Sequence, residues 1–407
     1  MMPQFLEDGH VTTPGGWRAA AAACGIRRAG RDDLALLVSD TPCTAAALFT
    51  QNKVKAAPLL YDQALLARNA DGIRAVVVNS GIANACTGTT GAAAAARTAR
   101  AAELALALPA DSAFVMSTGV IGMQLPMAKI ERGIAEAGER LAADQGPAAA
   151  WAIMTTDTRP KYCAVRVTLA HGGVITIGGM AKGSGMIHPN MATMLCFLTT
   201  DATVSVPALD AALRQAADES FHCISVDGDT STNDTMLALA NGHAGQPVIT
   251  DITSVDGRAF LAGLTLVCQR LAQEVVRDGE GITRFVTIKL QGATDDADAR
   301  HAAMTVARSP LVKTALFGAD ANWGRVVCAL GYSGAELDPD RVVLHFNGLK
   351  VFEHGLPLDF DEEQAHQLLD VPEILIELDL GLGPGSATVW TCDFSYEYVR
   401  INAEYRT

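Results

Sequence analysis

The stretch CAVRVTLAHGGVITIGGMAKGSGMIHPNMATMLCFLTT, residues 163–200, decides how the architecture is read. Its first half alternates apolar and polar positions on either side of His171, Gly172 and Gly173, the pattern of two antiparallel strands joined by a tight turn. A glycine-rich segment follows, and MLCFLTT after it is a short apolar run of strand character. Upstream, IRAVVVNSG (73–81) and SAFVM (112–116) read as strands, each followed by a helix. The first helix is the Ala/Leu-rich segment 91–108; the second, 126–143, has proline in its first turn and Ile130, Ile134 and Leu141 at helical spacing. Downstream, 205–221 and 257–278 have helical periodicity, 282–290 reads as a strand, and a helix (299–307) with short strands (341–346, 374–380) leads to an aromatic-rich tail, 386–407. The G-x-G-x-G at 381–385 contains Pro384, which makes it a turn. Local hairpins mixed with helices predict an α+β fold with sheet layers covered by helices, in preference to a doubly wound parallel sheet.

Composition narrows the function classes. A chain of 407 residues that is 49% apolar has ample material for a packed core. Its 45 acidic and 31 basic residues give a net charge of −14 with no basic cluster, so nucleic acid is not an expected partner. The N-terminus lacks a basic stretch leading into an apolar run, and no ~18-residue apolar run occurs, so a cytoplasmic location without a membrane partner is expected. Nine cysteines, from Cys24 to Cys392, include no C-x-x-C and are expected to be reduced, buried small hydrophobes. Nine histidines are as scattered, so no metal site is expected.

The glycine-rich segment invites a phosphate-loop reading, which fails because Lys182 precedes Gly183, Ser184 and Gly185 instead of following the last glycine. No G-x-S-x-G elbow occurs either. What remains is Thr193, behind the small Ala192, where an irregular loop meets an apolar strand. A threonine hydroxyl needs a base beside it, and the most economical base is its own α-amine, freed when the preceding peptide bond breaks. That amine has a pKa of ~7.7–8.0 against ~10.4 for lysine, so it is more often available as a base at neutral pH. On the residues alone, the reading of Thr193 as an ordinary β-branched residue starting a strand is the favoured one.

The segment KGSGMIHPNMATML (182–195) resembles the self-cleavage signature of the ornithine acetyltransferase family, the bifunctional glutamate N-acetyltransferases of arginine biosynthesis. Further matching stretches are GVIGMQLPM (119–127), IMTTDTRPK (153–161), SPLVKTALFGADANWGR (309–325) and CDFSYEYVRINAEYRT (392–407), in the family's order along the whole chain. In VVVNSGIANACTG (76–88) the chain departs from the family at Ile82, where asparagine is usual.

The resemblance implies an α/β/β/α-like sandwich of the N-terminal-nucleophile kind. It implies a cut between Ala192 and Thr193 that divides the chain into segments 1–192 and 193–407, assembled as a heterotetramer with two copies of each. Thr193 takes the family's nucleophile position, and Thr118 and Gly119 its oxyanion-hole positions. Thr156, Lys182, Thr193, Glu280, Asn402 and Thr407 take its substrate-binding positions. The implied reaction moves acetyl from N-acetylornithine to glutamate through an acetyl-Thr193 ester with no cofactor, and leaves open acetyl-CoA as a second donor. Two competing readings are a self-processing amidohydrolase or aminopeptidase, with water as acceptor, and a binding or scaffold protein without the chemistry.

Overall fold

The computed structural model describes residues 3–27, 30–170, 172–188 and 194–404. Its larger sheet has nine strands and is organised by the sixteen-residue strand Leu34–Phe49. The first half of that strand pairs antiparallel with Trp17–Ala22 and Ile73–Ile82, the second half with Thr235–Ala240. Between the halves Asp40, Thr41 and Pro42 are exposed, and the register against Ile73–Ile82 slips between Val38 and Cys43. Proline has no N–H for a ladder, so the strand bends there and passes from one half-sheet to the other. The carbonyls of Ser39 and Asp40 at the bend each accept from the Arg74 guanidinium at 3.0 Å.

The bend folds the sheet onto itself. Leu37, Val76, Val78 and Phe114 of one half share a buried cluster with Met180, Leu195, Phe197 and Leu237 of the other. The outer face of the first half packs against Ala94, Ala95, Ala99 and Ala102 of helix Gly88–Ala105 and Ile130 and Ile134 of helix Met127–Gly138. Alanine rows let these helices lie close to the strands. Ile82 joins this cluster, so the departure from asparagine places an apolar side chain in an apolar layer. The outer face of the second half, with Val165, Ile177 and Met236, is covered by helices Val206–Asp218 and Val255–Arg277. The layer order is α/β/β/α, as expected.

Helix Val255–Arg277 is long and apolar enough in composition to cross a membrane, but Phe260, Leu264, Val267, Leu271 and Val275 are buried against protein. The same core continues into a second, six-stranded sheet. In it Phe285–Ala293 runs parallel to Glu373–Asp379 and antiparallel to the edge strand Gly385–Cys392. Residues 381–385 enter the last strand without opening a helix.

Two features place the site. Strand Val174–Lys182 pairs antiparallel with Leu195–Thr200, Lys182 opposite Leu195, so strands from either side of the 192–193 bond are neighbours inside one sheet. Strand Leu195–Thr200 then runs parallel to Thr235–Ala240. Lys182 is thus the last residue of a strand and 4% exposed. Cys86 and Cys328 correct a second expectation: they are exposed, while the other seven cysteines are buried and unpaired.

Candidate active site

Strand Ala113–Val120 runs parallel to Ile73–Ile82 until its register slips at Gly81 and Ile82, opposite Thr118, Gly119 and Val120. Gly119 has φ 129°, and a Cβ there would lie 2.2 Å from the carbonyl carbon of Gly81. Only glycine fits that conformation at that approach. The slip lifts Thr118 and Gly119 out of regular pairing and onto a cavity of about 270 Å³.

Lys182 reaches the same cavity from the neighbouring sheet layer, its Nζ 3.4 Å from Thr118 Oγ1. Burial lowers the pKa of its ammonium, opposed by the nearby Asp157. Asp157 sits beneath the cavity and accepts from the N–H groups of Gly183 (2.7 Å) and Thr155 (2.9 Å) and from Lys161 Nζ (2.7 Å). Burial alone would raise the Asp157 carboxyl, but Lys182 and Lys161 hold it well below the usual carboxylate range. Lys161, with no exposed side chain, also donates to Asp278 at 2.5 Å. Asp278 accepts from both the N–H and the hydroxyl of Thr158, and its own carbonyl accepts from Ser184 Oγ at 2.6 Å. Three segments, 155–161, 182–185 and 278–280, are therefore tied through buried ionic contacts.

Glu280, two residues after Asp278, is 8% exposed and faces the cavity. A Cβ on Gly185 would lie 2.3 Å from its Oε2, so that glycine leaves the carboxylate its space. Asn402 Nδ2 donates to the same oxygen at 2.9 Å, which brings helix Tyr396–Glu404 to the rim. Thr156, half-buried, lines the same cavity. Asp227 also lines the cavity and accepts from the N–H groups of Met186 (2.5 Å) and Ile187 (2.8 Å). Burial pushes its carboxyl up to about 6, against the pull of those N–H donors.

Of the residues expected to act, Thr118, Gly119, Thr156, Lys182, Glu280 and Asn402 thus share one cavity. Ala192, Thr193 and Thr407 lie outside the described residues. Met194, the nearest described neighbour of Thr193, borders a recess of about 10 Å³ with Thr118, Lys182 and Asp234. Asp157, Lys161, Asp227, Asn233, Asp234 and Tyr398 were not anticipated. The run VDGDTSTNDT (226–235), dense in short polar side chains between a buried segment and a strand, was the available signal for three of them. Among the described residues, no group of three His, Cys, Asp or Glu side chains could hold a metal ion.

A family model described as the ArgJ family matches residues 18–407. The "Arginine biosynthesis bifunctional protein ArgJ" of Symbiobacterium thermophilum is 51% identical over 98% of this chain and 99% of its own. The protein of that name from Thermotoga neapolitana is 49% identical over 97% and 99%. A crystal structure of the Bacillus halodurans "Arginine biosynthesis bifunctional protein argJ" superposes with a TM-score of 0.50 at 40% identity, covering 51% of this chain and 98% of that one.

Proposed function

The chain belongs to the ArgJ family, and from that premise we propose that it transfers acetyl from N2-acetyl-L-ornithine to L-glutamate through an ester on Thr193, after the chain is cut between Ala192 and Thr193. Membership makes it an enzyme of arginine biosynthesis with an acetyltransferase role. The observation that carries the finer reading is the shared cavity: Thr118, Gly119, Thr156 and Lys182 come from before residue 192, Glu280 and Asn402 from after it.

In the proposed cycle Thr193 Oγ attacks the acetyl carbonyl while its own α-amine takes the hydroxyl proton. Thr118 and Gly119 donate to the oxyanion of the tetrahedral intermediate. The α-ammonium then protonates the departing amine of ornithine, leaving an acetyl ester. Glutamate's amine attacks that ester by the reverse route, and N-acetylglutamate leaves. Lys182 pairs with a substrate carboxylate, and Glu280 with the side-chain ammonium of the ornithine donor. The length of the Bacillus halodurans chain supports the cut, since 98% of it corresponds to only 51% of this one. The two segments would assemble as two copies of each, in the cytoplasm.

The test is incubation with N-acetylornithine, with and without glutamate. Without glutamate, ornithine release should stop at about one equivalent per active site, the acetyl ester, and continue only when glutamate is added; multiple-turnover release without glutamate would identify an amidohydrolase. On a denaturing gel the active protein should run as pieces 1–192 and 193–407, and Thr193→Ala should stay whole. An uncut, active wild type overturns the proposed mechanism. Acetyl-CoA offered in place of N-acetylornithine decides whether a second donor is used.

A further inference from the structure

Four consecutive residues, Ser231, Thr232, Asn233 and Asp234, lead into strand Thr235–Ala240 and have no role in the cycle above. Asp234 is 1% exposed; its Oδ1 accepts from Met194 N–H at 3.0 Å and its Oδ2 from Ser231 N–H at 3.3 Å. The N–H of Thr235 donates to the Met194 carbonyl at 3.1 Å. Both backbone groups of the residue after position 193 are thereby held by one turn. Asn233 acts on the other side. Its Nδ2 donates to the carbonyls of Ala83 and Ser117, at 2.7 Å each, and Ser117 immediately precedes Thr118.

The turn that makes these contacts is itself pinned. Thr50 N–H donates to the Asp234 carbonyl (3.0 Å), Thr50 Oγ1 to the Ser231 carbonyl (3.0 Å) and Ala56 N–H to the Thr232 carbonyl (2.9 Å). Ser231 Oγ accepts from Asn233 N–H at 3.0 Å, and Asn233 Oδ1 from Thr232 Oγ1 at 2.6 Å. Hydrogen bonds this closely networked leave little freedom to any member.

Resting on the transferase reading, we propose that Asn233 and Asp234 are positioning residues that hold Met194, the residue after the nucleophile, and the Thr118–Gly119 turn at one fixed separation. Met194 leads into strand Leu195–Thr200 and the Thr118–Gly119 turn lies on strand Ala113–Val120, and these strands do not pair with each other. Their spacing depends on whatever bridges them. A displacement of about 1 Å between reacting groups costs on the order of 10²-fold in rate. A plain cap on a strand end would affect stability and leave turnover by the folded protein unchanged.

The test uses the full chain carrying Asp234→Ala, Asn233→Ala or Asp234→Asn. Self-cleavage is followed on denaturing gels, and kcat and KM are measured with N-acetylornithine and glutamate on the cleaved, folded fraction. Both alanine variants should slow cleavage and lower kcat by ~10- to 100-fold while KM stays within about 3-fold. Asp234→Asn, whose amide oxygen still accepts from Met194, should recover most of the loss. Wild-type kcat in a folded alanine variant, a loss carried by KM alone, or Asp234→Asn no better than Asp234→Ala overturns the assignment. The alanine variants act on opposite sides of the bridge, so if one fails to fold the other decides. A wild type that neither cuts itself nor transfers acetyl refutes the transferase reading as well; variants that match an active wild type refute this inference alone.

Discussion

Thr118 and Gly119 stand side by side at the register slip, yet their substitutions should fail differently. Thr118→Ala removes a hydroxyl beside Lys182 and leaves the backbone intact. Steady-state kinetics should give a kcat about 10²–10³-fold lower with an unchanged melting temperature, the cost that the proposed oxyanion role assigns to one lost donor. Gly119→Ala forces a Cβ into the Gly81 backbone at a positive φ, so its melting temperature should fall together with its activity. Asp227 supplies a pH signature. Its carboxyl is raised to about 6, so it is neutral below that value and anionic above. For a donor bearing an ammonium group, kcat/KM should therefore fall as pH is lowered through about 6, and Asp227→Asn should lack that inflection. An inflection that persists in the variant would move the effect to another group.

At the scale of elements, the buried ionic cluster joins strand Lys161–Thr168, the end of strand Val174–Lys182 and the segment after helix Val255–Arg277. Removing its central cation strands two buried carboxylates. Lys161→Met should cost about 3–5 kcal/mol in urea unfolding, well beyond the loss for an exposed pair. Asp157 adds a pH dependence of definite sign. Its folded pKa is depressed, so its stabilisation is complete above the unfolded value of ~3.9 and is lost only as pH falls toward the lower folded value. Acid unfolding of Lys161→Met should begin at a higher pH than that of the wild type.

These elements also mark how far sequence reading reaches. The hairpin around Gly172 and Gly173 and the helix containing Ile130 and Ile134 were legible because periodicity is a local property. The burial of Lys182 was not legible because its nearest chain neighbours include Gly183, Ser184 and Gly185, while the carboxylates that make it tolerable, Asp157, Asp234 and Glu280, lie more than twenty residues away. Asn233 and Asp234 were hidden for the same reason: their partners Ser117 and Met194 are neighbours only after folding. Family resemblance named residues that line one cavity and did not name Asn233 or Asp234.

For the whole molecule, the closing wall of the cavity is the chain's last helix. Tyr398 stacks on Phe394 with ring centroids 4.7 Å apart, and Asn402 holds Glu280. Extending the C-terminus should raise KM several-fold, whereas the same tag at the N-terminus should leave kinetics unchanged; equal effects would deny the tail a place at the pocket. Strands Val174–Lys182 and Leu195–Thr200 also touch along their length, so a cut between them need not release either piece. Native gel filtration should show a single peak, resolved into two species only by denaturant.

That adjacency also bears on how the protein can be made. Segments 1–192 and 193–407 translated from separate messages would each present a bare sheet edge, Val174–Lys182 on one and Leu195–Thr200 on the other. Each edge offers unpaired amides to any passing strand, so either half alone is an aggregation hazard. Made together, each half is the template the other lacks, and the enzyme becomes a two-gene complementation system whose halves must meet early to stay in solution.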